Sequence, residues 1–317
     1  MKKFPIVVLL LATLVILFGC LEKTEPINEV DPSPTGEDLR IGILPSEAAI
    51  PIILAYEKGF FEEIGLNVSI KAFTSPNDRN VAVQAKEIDG TIGDVMTAAV
   101  FVDRGIPMKI TSDIREDFKI LSSPNSSITS IKELDGKRVS LVPNFILEYI
   151  MDAFAKENNI TYEIIEIPSF AGRAEALMSD QIDGVVFTEP QAGMLVKNGA
   201  HLLGSSKTAG IKGGAIIFMD EVLLGRPGDV KAFYEGYNKA IDYMNEVGVS
   251  AYSEILANYQ FPEAINDYLS NQDEVFQYAG RLSERQFDDM IKWTKDKEQI
   301  SRVYSFDMLT DFSYVQQ

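Results

Sequence analysis

Residues 75–90 read SPNDRNVAVQAKEIDG, and residues 169–184 read SFAGRAEALMSDQIDG. Aligned without a gap they agree at six of 16 positions: Ser75 with Ser169, Arg79 with Arg173, Ala82 with Ala176, and Ile88-Asp89-Gly90 with Ile182-Asp183-Gly184. Each copy opens on a serine placed to cap a helix, and Pro76 fits the first helical position. Each closes on Asp-Gly, a turn signal that leads into a short apolar run. Each follows an alternating stretch, Leu66–Phe73 or Ile160–Ile167, with the period of a strand. Chance likeness between two segments of similar composition is the competing explanation. The ungapped match in the same context favours duplication, which predicts an α/β protein of two similar lobes, each a mostly parallel sheet flanked by helices.

Working outward, Leu39–Leu44 reads as a strand broken by Pro45-Ser46-Glu47. An amphipathic stretch with Ile50, Ile53, Leu54, Tyr56 and Phe60 follows and ends at Gly65. The first repeat helix runs to Ile88, and Thr91–Gly93 is a short strand. Between the copies, Phe118–Leu121 and Lys137–Val142 are strands, Ser130 and Glu133 have capping-box spacing, and Asn144 is placed to cap a helix over Phe145–Asn158. Gly214–Met219 is a last strand. Beyond it Val230, Phe233, Tyr234, Tyr237, Ala240, Ile241, Met244 and Val247 share one helical face. The later helices are expected to pack back onto the first lobe, giving it residues 39–112 plus 213–317 and the second lobe 113–212. The crossings fall near Ile110–Asp117 and Ser205–Ala215.

The amino end has a different character. Met1–Lys3 is basic, Phe4–Leu17 is almost wholly apolar, and Leu17-Phe18-Gly19-Cys20 resembles a prokaryotic lipobox. A 14-residue apolar run suits a signal peptide better than a membrane span. Residues 1–19 are therefore expected to be a lipoprotein signal and Cys20 the lipidation site, although Cys20 could instead close a membrane helix. Residues 20–38, rich in charge and proline, read as a solvated tether holding the protein to an outer membrane surface, with the fold starting near Leu39.

The whole chain has 317 residues, 29 basic against 47 acidic, a net charge of −18, with one Cys and one His. Loss of Lys2 and Lys3 with the signal would make the charge −20. So acidic a surface disfavours nucleic acid. One Cys excludes a disulfide framework and a Cys-rich metal site, and the lone His201 leaves little for His-based chemistry. No metal, cofactor or catalytic residue is predicted.

Open parallel sheets bind ligands beyond the carboxyl ends of their strands. The candidates there are Ser46 and Glu47; Ser75, Pro76, Asn77 and Arg79; Asp94 and Val95; Asn144 and Phe145; Ser169, Phe170 and Arg173; Thr188 and Glu189. Arg79 and Arg173 each lie four residues after the capping serine, where a cation is mildly unfavourable unless it meets an anionic or carbonyl-bearing ligand. Pairing with Asp78 or Glu175 is the equally open alternative. Glu47, Asp94, Glu148 and Glu189 would instead suit an N–H-rich or cationic solute, and Asp94 and Glu189 could equally be helix caps. Phe145, Tyr149 and Phe170 could stack on a flat ligand. Trp293 reads as packing and His201 as a surface residue.

Several motifs together resemble a known family. They are Ala55-Tyr56-Glu57-Lys58-Gly59-Phe60-Phe61, Gly65-Leu66-Asn67-Val68, Ile88-Asp89-Gly90 and Gly93-Asp94-Val95. In the second lobe they are Ile131-Lys132-Glu133-Leu134-Asp135-Gly136-Lys137, Ile182-Asp183-Gly184 and Glu189-Pro190. Spanning roughly Leu39 to Asn245, they resemble the nitrate, sulfonate, taurine and thiamine-pyrimidine receptors of ABC importers, the NMT1/THI5-like group. The resemblance implies a two-lobed periplasmic-binding-protein type II fold with two crossover segments. It also implies a monomer that holds a small organic solute, a sulfonate or a thiamine-precursor-like heterocycle, in the interlobe cleft. A membrane permease with a cytoplasmic ATPase would be its partner. The rivals are a sensory or scaffolding lipoprotein on the same fold and a THI5-type pyrimidine synthase, whose reactive His and Cys/His-rich iron site this chain is poorly equipped to supply.

Overall fold

Two five-stranded sheets carry the molecule in the computed structural model, which describes residues 33–272 and 274–315. The expected signal, Cys20 and most of the tether lie outside the described residues. The strands are β1 (Leu39–Ile43), β2 (Val68–Ala72), β3 (Gly90–Asp94), β4 (Met108–Asp113), β5 (Lys119–Ser122), β6 (Lys137–Ser140), β7 (Tyr162–Ile165), β8 (Gly184–Phe187), β9 (His201–Ser205) and β10 (Gly214–Met219). Their order is β2-β1-β3-β10-β4 in one sheet and β7-β6-β8-β5-β9 in the other. In each sheet four strands run one way and one, β10 or β5, runs against its neighbours. That reversed strand is the first one entered after a crossing. A chain that leaves the carboxyl edge of one sheet and enters the facing edge of the other must run backwards there. The carboxyl ends of the other strands therefore look across one gap.

The duplication is visible in side chains as well as topology. Asp89 accepts hydrogen bonds from the backbone N–H and Nε of Arg40 at 2.8 and 3.0 Å, and returns its own N–H to the Arg40 carbonyl at 2.7 Å. Asp183 brackets Arg138 in the same way, at 2.9, 3.1 and 2.9 Å. Register follows: Ile41 faces Gly90, and Val139 faces Gly184. The repeat helices, Pro76–Gln84 and Phe170–Met178, stop short of the Asp-Gly turns. Each is followed by a residue in the left-handed region, Lys86 (φ 54°) or Asp180 (φ 59°). The first helix thus ends four residues before the expected Ile88.

Other expectations need adjusting. β4 and β9 were not among the expected strands; β4 occupies part of the expected crossing, so the true links are only residues 114–118 and 206–213. Helix Ile50–Glu57 is buried from Ile50 to Ala55 rather than amphipathic, because helix Pro227–Glu246 covers its outer side. There the rings of Phe61 and Phe233 stack at 5.6 Å. Asn144 does not cap its helix. It lies at φ 68°, Phe145 takes the cap position without a side-chain bond, and the Glu148 carboxylate reaches back to the Asn144 N–H at 2.6 Å. The chain is already held to the fold at Thr35, whose N–H and hydroxyl donate to the buried Asp229 at 2.6 and 2.8 Å.

The later helices do not rest on the first lobe alone. Trp293, on helix Glu284–Asp296, donates its indole N–H to Asp152 at 3.0 Å, and Lys297 reaches Glu148 and Asp152 at 2.6 and 2.9 Å. Both acceptors sit on helix Ile146–Asn158 of the second lobe. Helix Ala264–Ser270 meets that lobe as well, through Asp267 and Lys197 at 3.1 Å. Trp293 is thus a link between lobes in addition to packing.

Candidate functional site

The two links lie side by side. Glu116 in the first accepts the N–H groups of Gly213 and Gly214 at 2.7 and 2.9 Å, and Ser206 in the second exchanges bonds with Phe118. A Cβ on Gly214 would fall 2.0 Å from the Glu116 carboxylate, so this approach requires glycine. Burial pushes the Glu116 carboxyl up to about 7, against the two N–H donors that hold it down.

Beside the links lies a cavity of about 80 Å³, several times the space a water molecule needs. Its walls are the strand ends of both lobes: Leu44 and Ser46 after β1, Ile92 to Asp94 on β3, Val142 and Phe145 after β6, and Phe187 and Thr188 at the end of β8. Hydrogen bonds between lobes close its rim. Glu47 N–H meets the Glu189 carbonyl at 3.0 Å, Gln191 Nε2 meets the Pro45 carbonyl at 2.8 Å, and the Ile146 N–H meets Asp94 at 3.2 Å. The conformation is a closed one.

Of the residues expected at the site, the structure brings Ser46, Pro76, Arg79, Asp94, Phe145, Phe170, Arg173 and Thr188 onto the cavity wall. It places the others elsewhere. Ser75 and Ser169 cap their helices through Asp78 N–H and Gly172 N–H. Asn77 and Asn144 line a separate groove on the far side of Phe145. Val95 is buried and donates its N–H to the Gly213 carbonyl at 3.0 Å. Glu189 is held by Lys119 and by the Gly193 N–H at 2.8 Å. Glu47 sits at the rim, takes the Tyr268 hydroxyl at 2.7 Å and lies 3.4 Å from Arg115 Nε; burial pushes its carboxyl up to about 7. Asp94 does both things weighed for it, capping its helix through the Thr97 N–H at 2.7 Å and lining the cavity. Tyr149 packs edge-on against Trp293, and His201 begins β9, paired with Ser122; neither lines the cavity.

The two repeat arginines are both buried, at 2% and 0% exposure, and burial pushes each guanidinium down to about 10. Arg79 is satisfied: Nη1 donates to the Ile92 carbonyl, Nε donates to Asn80 at 2.8 Å, and Asp94 is the nearby countercharge. Arg173 has no such company. None of its three guanidinium nitrogens has a hydrogen-bond partner among the described residues. Its Cζ lies over the rings of Phe170 and Phe187 at 5.1 and 4.8 Å. The cause lies in one position of the repeat. Gly93 matches Phe187; without a side chain at Gly93 the Arg79 guanidinium reaches backbone, whereas the Phe187 ring stands there in the second copy. Neither Asp78 nor Glu175 pairs with its arginine.

Sequence reasoning missed Ile114, Arg115, Glu116 and Phe118, which all line the cavity from the first link. The available signal was an acidic residue in a crossing, opposite the small pair Gly213-Gly214. Among the described residues no group of three or more His, Cys, Asp or Glu could hold a metal ion, and no helix is long and apolar enough to cross a membrane.

Comparison with known proteins adds the family. The profile described as NMT1/THI5 like matches residues 47–247. The chain belongs to the NMT1/THI5-like family. Its similar proteins include a 4-amino-5-hydroxymethyl-2-methylpyrimidine phosphate synthase, THI11, of Saccharomyces cerevisiae, 27% identical over 247 residues and 71% of each chain. A synthase of the same name from Schizosaccharomyces pombe is 25% identical over 142 residues, 44% of this chain and 41% of its own. Among solved structures, the alkanesulfonate-binding protein SsuA from Xanthomonas axonopodis pv. citri, bound to MOPS, superposes with a TM-score of 0.76 at 14% identity, covering 86% of this chain and 98% of its own. The periplasmic nitrate-binding protein NrtA from Synechocystis PCC 6803 gives 0.72 at 15% identity, covering 87% and 85%. Both solved neighbours share the two-lobed α/β fold of this chain.

Proposed function

We propose that this protein is an extracytoplasmic substrate-binding lipoprotein of an ABC importer, anchored through Cys20, that captures a small organic solute between its lobes and passes it to a membrane permease. What carries the reading is the cavity walled by strand ends of both lobes, which the Glu47–Glu189 and Gln191–Pro45 hydrogen bonds hold together. A solute touching both walls favours the closed state over the open one by its extra contacts, and a permease that recognises the closed form then senses occupancy. Residues 114–118 and 206–213 are the hinge in this reading. Either a sulfonate or an N-heterocycle fits the notion of a small solute, and Ser46, Arg79, Asp94, Phe145, Phe170, Arg173 and Thr188 are the contacts proposed for it. Small-angle scattering of the full chain, with and without a tight ligand from a solute screen, tests the mechanism. Compaction on binding is expected, and an unchanged radius with a bound solute overturns it.

The yeast relatives favour a second reading, a pyrimidine phosphate synthase. We propose binding without transformation, because the only His lies on β9 outside the cavity wall and the only Cys is at the position read as a lipid anchor. Formation of a pyrimidine phosphate by the purified chain would reverse that choice.

A further inference from the structure

Arg173 presents an unusual balance of charge. A guanidinium has five N–H donors in a rigid plane and no way to become neutral at ordinary pH. Buried charges are ordinarily paired, because an isolated one loses its hydration with nothing in exchange. Here the side chain is 0% exposed, all three nitrogens are unpartnered, and no ion pair to Arg173 is found among the described residues. The rings of Phe170 and Phe187 lie against the cation, yet a ring face does not accept the in-plane N–H bonds that water would. The matched Arg79 rules out a general property of the repeat, since its donors go to Ile92 and Asn80. The rest of the wall is largely apolar, with Leu44, Ile92, Ile114, Phe118 and Val142, and its other charged groups, Arg79 with Asp94 and Arg115 with Glu116, number two of each sign. The surface at large is acidic, with a net charge of −18, and repels anions rather than concentrating them. Whatever draws an anion inside must act within the cavity.

We propose that the captured solute is an amphiphilic oxyanion, a sulfonate or carboxylate on a compact apolar body, and that Arg173 is the residue that receives its charged head. The inference rests on the binding reading above and specifies its solute class. The oxyanion accepts two parallel N–H bonds from the guanidinium fork, while the apolar body meets the aliphatic and aromatic wall. Arg79, already bonded within its own lobe, supplies positive potential without being the principal donor.

The full chain in detergent, titrated calorimetrically, separates the classes. The probes are butanesulfonate and pentanoate against their neutral counterparts butanesulfonamide and pentanamide. At least one anion is expected to bind tenfold or more tighter than its amide, and the better anion tells sulfonate from carboxylate. R173M is expected to weaken that anion at least a hundredfold, and R173K at least tenfold, since lysine offers a point charge instead of a fork. The ligand-free melting temperature of R173M should be unchanged or raised, because the variant loses an unpaired buried charge. Equal binding of amide and anion, binding of the anion by R173M at wild-type strength, or no binding of any of the four probes overturns the proposal. So does a lowered melting temperature of R173M, which would make the arginine structural. None of these results touches the broader binding reading, which falls only if a bound solute of any class leaves the scattering unchanged.

Discussion

Arg79 and Arg173 occupy the same turn of duplicated helices, yet one is surrounded by acceptors and the other by rings. The scaffolds around them match closely: a capping serine, an Asp–Arg bracket on the adjacent strand, and a glycine opening the strand that follows. Divergence is concentrated at the strand tip, where Gly93 in one copy is Phe187 in the other. The titrating groups diverge too. Glu47 and Glu116, at the end of the first sheet and in the link leaving it, have carboxyls raised to about 7, whereas Asp180 and Asp183 of the second lobe are lowered by hydrogen bonds. Duplication thus preserved the parts that set backbone geometry and left the parts facing the gap free to differ.

The largest expected effect comes from that electrostatic contrast. A carboxyl whose pKa is higher folded than unfolded binds more protons in the native state between the two values. For Glu47 and Glu116 that window runs from 4.5 to about 7, so stability falls as pH rises through it. At about 1.4 kcal/mol per pKa unit, each group costs on the order of 3 kcal/mol above pH 7. Asp180 and Asp183 have the opposite sign: they stabilise above their ordinary value of 3.8 and lose that contribution as pH falls through their lower folded values. Denaturant midpoints are therefore expected to be highest between about pH 3.8 and 4.5 and to fall toward pH 8. E116Q should flatten the alkaline limb, and a slope unchanged in E116Q would remove Glu116 as its cause.

Next in size is the pair of arginines themselves. R79M takes the guanidinium from the buried Ile92 carbonyl, leaving it only the Thr91 hydroxyl at 3.2 Å, and is expected to cost about 1–2 kcal/mol, within the range for weakening one buried acceptor. R173M strands nothing and should be neutral or stabilising, as replacements of buried charge by apolar side chains often are. Urea unfolding of the ligand-free variants checks the opposite signs. A similar loss in both would mean that the environments differ less than their hydrogen bonds imply. The Asp–Arg brackets should show a gentler contrast. D89A is expected to cost about 2 kcal/mol and D183A about 1, because the Asp89 side chain is 5% exposed and that of Asp183 28%, where water can replace the lost bonds.

Much of this was legible in the residues. The repeat, the strands it implies and Gly214–Met219 all follow from local patterning, because a helix cap, an Asp-Gly turn and an alternating strand are written in adjacent positions. β4 was harder, since its partner β10 lies about a hundred residues downstream and its residues read equally well as a crossing. In the tail helices an apolar stripe tells which face is buried but not how many bodies bury it. Trp293, Lys297 and Asp267 reach the second lobe through polar tips that no periodicity marks. The state of the two arginines was hidden for a related reason. Their spacing from the serine is the same, and the difference is decided 14 residues later, at Gly93 or Phe187. Only the fold shows that this position stands against the guanidinium.

The capping serines give the smallest contrast and the sharpest test of how deep the equivalence goes. Ser75 is buried, accepts the Asp78 N–H at 3.1 Å and donates its hydroxyl to the Asp78 carboxylate at 2.8 Å. Ser169 is exposed and accepts only the Gly172 N–H, at 2.9 Å. An N-cap serine replaced by alanine loses about 1 kcal/mol, with less lost where water can reach the freed N–H. S75A is therefore expected to cost about 1 kcal/mol and S169A about half of that, both by thermal unfolding without ligand. The second cap sits one turn before Arg173, so its loss should also loosen the turn that presents the guanidinium, visible as faster amide exchange at Gly172 and Arg173. Were S169A to cost as much as S75A with no change in exchange, the two helix starts would be energetic as well as geometric copies, and the divergence would begin only at the strand tip.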